Sequence, residues 1–179
     1  MRIRAAAMGR KQLLLPETSK ENWPMKTALI SDTHNLLRSE AISALQGCDL
    51  IIHAGDIGNP DILAQLSEIA PVHAVRGNND LSCPWAKDLP DFLTCTLNGW
   101  HTLLIHDIAE VPADLDSDIK LIITGHSHKP RIEWRGDRLY VNPGSAGPRR
   151  FKLPVTLAIL EIQPDSIEPR LISLLDPPA

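Results

Sequence analysis

Cysteine is scarce in this sequence, and positive charge is not in excess. The three cysteines of the 179-residue chain form no CxxC pair, and an odd number of cysteines makes a poor disulfide framework. We therefore expect Cys48, Cys83 and Cys95 to be free thiols, which fits the reducing cytoplasm. The formal net charge of −4 gives no basic field for a long nucleic acid, so that class of ligand is not expected.

Long apolar runs are also missing. No segment approaches the roughly 20 apolar residues of a membrane-spanning helix, and the leucine run at Leu13–Leu15 is too short for the core of a secretory signal. With 43% hydrophobic and 22% charged residues, the chain has the composition of one globular domain. We expect that domain to span residues 25–179, and residues 1–24 to be a flexible extension or the product of a misassigned start codon.

The first half of the chain alternates short apolar segments with amphipathic ones. Thr27–Ile30, Asp49–His53 and Val72–Val75 are apolar and short, as buried parallel strands are. Helices are predicted between them, over Ser39–Gln46 and from Pro60 onwards, where a proline suits the first helical turn. This βαβαβ order predicts parallel strands with right-handed crossovers.

The second half is richer in strands. Asn98-Gly99 and Gly136-Asp137 are typical of hairpin turns. Strands are predicted at Phe92–Leu97, Trp100–His106, Lys120–Thr124, Arg131–Arg135, Arg138–Val141, Val155–Ile162 and Ile167–Leu175. Together the two halves indicate a layered α/β fold with a parallel half and a mostly antiparallel half.

Seven side chains that ligate metals well occur in five short clusters, each where a predicted strand gives way to a loop. They are Asp32, His34, Asp56, Asn78, His106, His126 and His128. In open α/β sheets, ligands collect beyond the carboxyl ends of the strands, so these side chains are expected to meet at one point. The set is too large for one ion and about sufficient for two, which predicts a two-metal hydrolase.

Each cluster alone has an ordinary explanation. An Asp-x-His pair such as Asp32 and His34 is common on loop surfaces, and Gly-Asp and Gly-Asn are frequent in turns. His106 ends an apolar strand, where a hydrogen-bonded structural histidine is reasonable. The pair His126 and His128 is the most specific, because two histidines after a glycine and a buried strand seldom serve packing. The metal hypothesis depends on the combination and on its position at strand ends.

The residue types explain which metals the set would suit. Imidazole nitrogens and carboxylate oxygens favour borderline divalent cations, and the lack of thiolates argues against a structural zinc finger. Two ions about 3.5–4 Å apart need a bridge, which a carboxylate provides. The neutral oxygen of Asn78 adds no negative charge that would repel a phosphate. Glycines before Asp56, Asn78 and His126 allow tight turns and close backbone approach.

In this order, the clusters resemble the calcineurin-like metallophosphoesterase superfamily. The motifs are SDTH (Ser31–His34), AGD (Ala54–Asp56), GNND (Gly77–Asp80), IH (Ile105–His106) and GHSH (Gly125–His128). The short chain and a later NPGS (Asn142–Ser145) are similar to the YfcE-like phosphodiesterase branch. The resemblance covers residues 26 to about 175. It implies a four-layer αββα sandwich with mixed sheets.

The resemblance also implies a ligand assignment. One ion would be held by Asp32, His34, Asp56 and His128, and the other by Asp56, Asn78, His106 and His126, with Asp56 as the bridge. We expect two divalent ions per chain, manganese first, with iron, nickel, cobalt or zinc as alternatives. A bridging metal hydroxide would attack phosphorus in line, and no side-chain acid is identified.

Two positions depart from the family pattern. Many members carry a histidine directly after the metal-binding asparagine, where it protonates the leaving group, whereas this chain has Asn79, which cannot act as a general acid. We therefore expect substrates whose leaving group departs easily, such as aryl or nucleotide phosphodiesters. Members usually carry glycine after the position of His106, and here Asp107 follows. Its carboxylate is a candidate to bind water, to orient His106 or to weaken anionic substrates.

Four side chains are candidates for substrate binding. Asn79 and Arg149 are the first choices, and Arg76 and Arg150 share the forked donors that suit a phosphate. The alternative for the arginines is that they are solvated surface charges.

Three other histidines are weaker candidates. His53 either supports a metal ligand or is a buried structural residue, and His73 and His101 are predicted to be structural. The Asn142–Ser145 segment is predicted to form a turn that borders the cleft.

Two function hypotheses follow. The first is a hydrolase of small phosphodiesters, with a small phosphoester as its partner and with homo-oligomers formed through open sheet edges as one option. The second is a non-catalytic scaffold for protein partners on the same fold. All seven ligand positions carry competent ligands, which favours the enzyme.

Overall fold

Two mixed β-sheets pack face to face in the computed structural model, which describes residues 12–14 and 24–176. Most of the predicted N-terminal extension lies outside the described residues. Within it, Gln12–Leu14 forms a strand, β1, that pairs in parallel with the strand at Phe92–Leu97. The prediction that residues 1–24 are an extension stays a prediction.

The first sheet contains the predicted parallel unit. β2 (Met25–Ile30), β3 (Leu50–His53) and β4 (Val72–Ala74) run parallel and adjacent. Helices α1 (Ser39–Leu45) and α2 (Pro60–Ser67) connect them, as the βαβαβ pattern predicted. The N-cap of α2 is Asn59, whose side chain accepts a hydrogen bond from the backbone N–H of Ile62, while Pro60 occupies the first turn.

The same sheet continues with the last two strands of the chain. β10 (Thr156–Ile162) lies antiparallel to β2, and β11 (Ile167–Ser173) lies antiparallel to β10. The sheet order is therefore β11-β10-β2-β3-β4. The final antiparallel pair predicted from the sequence is confirmed.

The second sheet has the order β1-β5-β6-β7-β9-β8. Its remaining strands are β5 (Phe92–Leu97), β6 (Trp100–Ile105), β7 (Leu121–Ile123), β8 (Arg131–Arg135) and β9 (Arg138–Asn142). Both predicted hairpins form, and Asn98 and Gly99 have positive φ angles of 45° and 91°, as a type I′ turn requires.

The second half of the chain is mostly antiparallel, as predicted, since β5–β6, β8–β9 and β10–β11 are antiparallel pairs. Two other pairs in this half are parallel, which the sequence did not predict. β6 pairs in parallel with β7, and β7 pairs in parallel with β9. The physical reason is connection length, because the segment between Ile105 and Leu121 is long enough for a crossover, which parallel neighbours need. The parallel pairs point the ends of β6 and β7 towards the same edge as β2, β3 and β4.

Side chains alternate between the two faces of each sheet and form three apolar clusters. The inter-sheet cluster includes Leu29, Ile52, Leu104 and Leu160, all fully buried. A second cluster lies between the first sheet and the helices, where Leu45 of α1 and Leu66 of α2 are fully buried. Burial of this kind supplies most of the favourable free energy of folding.

The outer face of the second sheet has a thinner cover. Leu115 and Ile119 pack over Phe92 and Leu103 from a segment whose regular structure is a three-residue 3₁₀ helix, Ile108–Glu110. The αββα layering is therefore confirmed in its two sheets and in its first helical layer, and the fourth layer is mostly irregular. No helix in the described part of the chain is long and apolar enough to cross a membrane.

Candidate metal centre

The five predicted clusters meet at one edge of the sandwich. Asp32 follows β2, Asp56 follows β3, Asn78 follows β4, His106 follows β6, and His126 with His128 follows β7. The first three therefore come from one sheet and the others from the second sheet. Backbone hydrogen bonds join the loops, because the N–H groups of Asp32 and His34 donate to the carbonyls of Gly55 and Asp56, each at 3.0 Å.

Asp32, His34 and His128 form the first group of ligand atoms. Nε2 of His128 lies 3.2 Å from Oδ1 of Asp32 and 3.3 Å from Nε2 of His34. The two imidazole rings are stacked with their centroids 5.2 Å apart. Their Nε2 atoms thus approach the same carboxylate oxygen from neighbouring directions.

The second group surrounds Asn78 and Asp56. Oδ1 of Asn78 lies 3.2 Å from Nε2 of His106 and 3.0 Å from Nδ1 of His126. Nε2 of His106 is also 3.5 Å from Oδ1 of Asp56. Four donors from four different loops therefore enclose one small volume.

The carboxylate of Asp56 faces both groups. Oδ1 is the oxygen near His106, whereas Oδ2 lies 3.8 Å from Nε2 of His34. Asp32 also belongs to a set of mutually close ligand atoms with Asp56 and His106. Both carboxylates therefore lie between the two groups, and the two oxygens of Asp56 point to different sides.

The backbone is strained at most of these positions. Positive φ angles occur at Asp32 (54°), His34 (44°), Asp56 (55°), His126 (65°) and His128 (57°). A residue with a Cβ loses roughly 1–2 kcal/mol in this conformation. Such strain clusters at functional sites, where the surrounding structure holds it in place.

Two glycines make room for ligands from other loops. A Cβ at Gly77 would overlap Oδ1 and the backbone nitrogen of Asp56. A Cβ at Gly125 would overlap Oγ of Ser31 and lie 3.1 Å from Oδ2 of Asp32. The predicted need for close backbone approach at these glycines is confirmed, because each empty position is occupied by part of another cluster.

Neighbouring donors fix the two carboxylates. Oδ2 of Asp32 accepts from Oγ of Ser31 at 2.6 Å and from the backbone N–H of His126 at 3.1 Å. Asp56 accepts from Asn79 twice, through the backbone N–H at 2.9 Å and the side-chain amide at 2.7 Å. Each carboxylate thus accepts at least one hydrogen bond from another loop.

The charge balance of the site favours a cation. Burial opposes ionisation of Asp56, but His106 and the two donors of Asn79 outweigh it and hold the pKa of Asp56 below its usual range. For His106, burial alone would lower the pKa. The hydrogen bond to Asp56 and the negative charges of Asp32 and Asp56 outweigh burial, so the pKa of His106 is raised. A site that keeps a buried carboxylate ionised attracts positive charge.

Two observations test whether these residues fit metal ions. In the described part of the chain, the buried Oδ1 of Asp32 accepts no hydrogen bond, although Nε2 of His128 lies 3.2 Å away. A buried carboxylate oxygen is normally satisfied. Nδ1 of His106 donates to the carbonyl of Ala54 at 2.7 Å, so the lone pair on Nε2 is free to bind a metal. Both observations therefore fit a divalent cation at this centre.

Several supporting residues carried a weaker signal in the sequence. Asp80, the last residue of GNND, is fully buried and accepts from the backbone N–H groups of Ile57, Gly58 and Gly77 at 2.9–3.1 Å. It ties the loop after β3 to the loop after β4. The motif alone suggested a turn, and only the fold shows which loop the carboxylate fixes.

The Asn142–Ser145 turn lies beside the first group, as predicted. Nδ2 of Asn142 donates to the carbonyl of Gly125 at 2.6 Å, and Oγ of Ser145 donates to the carbonyl of Asp32 at 3.0 Å. The turn therefore holds the loops after β2 and β7.

His53 is fully buried, and both ring nitrogens are used. Nδ1 accepts from the backbone N–H of Gly55 at 3.2 Å, so the proton is on Nε2, which donates to Oγ1 of Thr33 at 2.9 Å. Burial lowers the pKa of His53 to about 3. This neutral histidine supports the loops that carry Asp32 and Asp56.

The predicted substrate residues are not all in the site. Arg149 donates to the carbonyl of Asp176 at 2.6 Å, whereas Nη2 of its neighbour Arg150 lies 3.3 Å from Nε2 of His34. The prediction for Arg149 is not supported by this geometry, because adjacent side chains in an irregular segment point to different sides. Nε of Arg76 pairs with Oδ1 of Asp91 at 2.6 Å, beside Asn78.

Asp107 lies near a different ligand from the one suggested by the sequence. Its Oδ2 is 3.8 Å from Nε2 of His126, and its Oδ1 accepts from the backbone N–H of Ala109 at 2.9 Å. His73 and His101 lie within β4 and β6, as expected for structural histidines.

Two cavities adjoin the centre, and His126 lines both of them. One of about 320 Å³ is lined by Asn78 and His126 together with Arg76, Asp107 and Glu110. The other, of about 490 Å³, is reached past His126 and His128 and is bounded by Lys129 and residues 150–153. The two cavities leave space beside the candidate ligands for two groups of a bound molecule.

Comparison with known proteins agrees with this geometry. The model of the calcineurin-like phosphoesterase superfamily domain matches residues 25–165. A probable metallophosphoesterase of Methanothermobacter thermautotrophicus is 30% identical over 83% of this chain and 92% of its own length. The phosphodiesterase YfcE of Escherichia coli K12 is 26% identical over 76% of this chain and 88% of its own length.

Among solved structures, the zinc complex of wild-type Vps29 from Entamoeba histolytica has the same fold. Its TM-score is 0.64 at 21% identity, over 84% of this chain and 100% of that one.

Proposed function

The chain belongs to the calcineurin-like phosphoesterase superfamily, and from this premise we propose that it hydrolyses small phosphodiesters with two divalent cations. Family membership supports phosphoesterase activity. The finer proposal, two ions and a diester substrate, depends on the residues of the centre. Its main support is that all seven candidate ligands converge from five loops on two adjacent volumes.

The proposed ligand sets follow the two groups of atoms. Asp32, His34, Asp56 and His128 would hold one cation, and Asp56, Asn78, His106 and His126 would hold the other. Asp56 is the proposed bridge because its Oδ1 and Oδ2 face opposite groups. Nitrogen and oxygen donors of this kind suit manganese, with iron, nickel, cobalt or zinc as alternatives.

Two bound cations would supply a hydroxide nucleophile at neutral pH and stabilise negative charge on the phosphoryl oxygens. The protein's own residues would hold the metal ligands in position. Asn79 keeps the Asp56 carboxylate ionised and fixed, and Ala54 sets the tautomer of His106. Asn78 adds a neutral oxygen, which leaves the centre attractive to an anionic phosphodiester.

The centre has no obvious proton donor for the leaving group. Asn79 occupies the place where many family members have histidine, and its amide is engaged with Asp56. An amide cannot transfer a proton at neutral pH. Leaving groups that depart as stable anions, such as aryl oxides, are therefore the proposed substrates.

A non-catalytic scaffold for protein partners is the second candidate. A fold and a bound metal do not distinguish it from an enzyme, since Vps29, whose name states no hydrolase activity, has this fold in a structure that contains zinc. Metal binding alone therefore does not establish hydrolysis. The complete set of ligands in this chain favours the enzyme.

The test is hydrolysis of bis-(p-nitrophenyl) phosphate by the manganese-loaded protein and by its His128→Ala variant. Turnover that is lost in the variant supports the proposal. Saturation with metal and no turnover of any phosphoester would favour the scaffold. Full activity of the variant would contradict the ligand assignment.

A further inference from the structure

The larger cavity beside the centre has a distinct chemical character. It has a volume of about 490 Å³, opens next to the candidate ligands His126 and His128, and is bounded by Lys129, Arg150 and Phe151 among others. A substituent of a phosphodiester could lie in this cavity while its phosphate is held at the centre. The residues of its wall therefore indicate what the rest of the substrate contains.

Positive charge collects in this wall. Lys129, Arg150 and Lys152 all line the cavity, and within the described residues none of the three is within 4 Å of a carboxylate. By contrast, five cations elsewhere in the described chain lie within 4 Å of a carboxylate: Arg76, Lys120, Arg131, Arg135 and Arg170. Unpaired cations grouped around a concave surface attract an anion.

Arg150 links this positive wall to the centre. Its Nη2 lies 3.3 Å from Nε2 of His34, and it also lines the cavity. Because Nε2 of His34 would bind a cation in the loaded centre, the guanidinium would then turn away from it, towards the cavity. The positive wall is therefore continuous with the site that would hold the scissile phosphate.

Phe151 adds an aromatic surface at the mouth of the cavity. Its side chain is 94% exposed, and its backbone has a positive φ of 52°. The other described non-glycine residues with positive φ are the five candidate ligands named above and two asparagines, Asn35 and Asn98. Asparagine tolerates this conformation, so Phe151 is the exception that neither residue type nor metal binding explains. An exposed ring in a strained backbone is suited to stack on a ligand.

The cavity of about 320 Å³ has a different charge. Asp107 and Glu110 line it, and its arginine, Arg76, is paired with Asp91. A phosphodiester has two substituents, and this difference would direct the anionic substituent to the wall that contains Phe151.

We propose that the larger cavity binds the substituent that stays bonded to the phosphate when the leaving group departs. This substituent would carry both an aromatic ring and a second negative charge, as a nucleoside phosphate does. The ring would stack on Phe151, and the additional phosphate would contact Arg150, Lys129 and Lys152. This inference rests on the proposed function, since it names the class of diester that the centre cleaves.

Three diesters with the same leaving group test the proposal. They are methyl p-nitrophenyl phosphate, thymidine 5′-(p-nitrophenyl phosphate), and the latter with an added 3′-phosphate. Each reaction consumes one water and releases p-nitrophenol, and the last yields thymidine 3′,5′-bisphosphate. With manganese-loaded protein, we expect kcat/KM to rise about tenfold for the ring and roughly tenfold again for the 3′-phosphate, mainly through KM. Equal values for the three esters would overturn the proposal.

Variants separate the ring from the charges. Phe151→Ala should remove the gain from the thymidine ring, and Phe151→Tyr should retain it. Lys152→Ala should reduce the gain from the 3′-phosphate. Arg170→Ala should not, because Arg170 is not among the residues that line the cavity. An equal loss with the methyl ester in Phe151→Ala would mean that the leaving group stacks on the ring, which would also overturn the proposal.

Calorimetry provides a readout that does not depend on turnover. Thymidine 3′,5′-bisphosphate should bind the wild-type protein at least about tenfold more tightly than the Phe151→Ala variant. If no ester is cleaved but this difference is found, the proposed function fails and the cavity assignment stands. If esters are cleaved and the two proteins bind the probe equally, the cavity assignment fails and the function stands.

Discussion

The side-chain amide of Asn79 donates a hydrogen bond of 2.7 Å to Oδ2 of Asp56, and the backbone N–H of the same residue donates to Oδ1 at 2.9 Å. One residue therefore fixes both oxygens of the proposed bridging carboxylate. The sequence suggested Asn79 as a substrate-binding residue. Its contacts show that it supports Asp56, and they help to hold the pKa of Asp56 below its usual range. Its role in substrate binding stays a prediction.

Replacing Asn79 should therefore weaken metal binding. In Asn79→Ala the side-chain donor to Asp56 is lost, and outer donors of this kind are typically worth 10–100-fold in metal affinity. We expect a decrease of that order for manganese, measured by titration calorimetry. Gln65→Ala, which removes an amide from the exposed face of α2, is the matched control. Unchanged manganese affinity in Asn79→Ala would show that Asp56 does not depend on this donor.

The missing proton donor predicts a strong dependence on the leaving group. Because Asn79 cannot protonate an alkoxide, bis-(p-nitrophenyl) phosphate should be hydrolysed faster than simple alkyl phosphates by the manganese-loaded enzyme. Asn79→His should narrow the difference in rate between aryl and alkyl esters, since a general acid typically accelerates a reaction 10²–10⁴-fold. Rates for matched aryl and alkyl esters are the measurement. Faster cleavage of the alkyl esters by the wild-type protein would refute the argument.

Gly77 should not tolerate a side chain. A Cβ there would overlap the backbone nitrogen and a carboxylate oxygen of Asp56, and overpacking of this kind costs typically 1–3 kcal/mol. Gly77→Ala is therefore expected to lower both the free energy of unfolding and the manganese affinity. Gly136→Ala is the control, because its Cβ would meet nothing within 4 Å and only its positive φ of 62° opposes the change. The free energy of unfolding of Gly136→Ala should fall by roughly 1–2 kcal/mol, and its manganese affinity should be unchanged. Normal manganese binding by Gly77→Ala would contradict the packing argument.

His53 should make the protein less stable in acid. Burial lowers its pKa from 6.5 to about 3, so below pH 6.5 the unfolded chain takes up a proton that the folded protein does not. The contribution is fully present above pH 6.5 and is lost as the pH falls towards 3. The slope is at most about 1.4 kcal/mol per pH unit. Urea unfolding of the metal-free protein at several pH values measures it. In His53→Gln the free energy of unfolding should fall less steeply with decreasing pH, by the contribution of about one proton. An identical slope in the two proteins would show that His53 does not take up this proton on unfolding.

Much of the fold could be predicted, because it follows from periodicity. The strands before Asp32, Asp56 and His126 are short apolar runs with clear ends, so both their existence and the position of the ligands could be inferred. The candidate metal ligands could be named because acidic and imidazole side chains cluster at these ends. The type of residue and its place along a strand are both properties of the sequence.

Other features could not be predicted, because they depend on how separate segments meet. The parallel pairing of β6 with β7 and of β7 with β9 is decided by crossovers that leave no periodic pattern. The same holds for the loop that Asp80 fixes and for the ligand that Asp107 approaches. Arg149 and Arg150 are adjacent and chemically identical, and only the path of the backbone brings the second one to His34.

The most direct test of the two-metal centre is the manganese content of the purified protein, measured by mass spectrometry after saturation and removal of free metal. We expect two ions per wild-type chain and fewer in the His128→Ala and His106→Ala variants. His101→Ala, which removes a histidine from within β6, should retain two. One ion or none in the wild-type protein, or two ions in either ligand variant, would contradict the assignment of these residues to a dinuclear site.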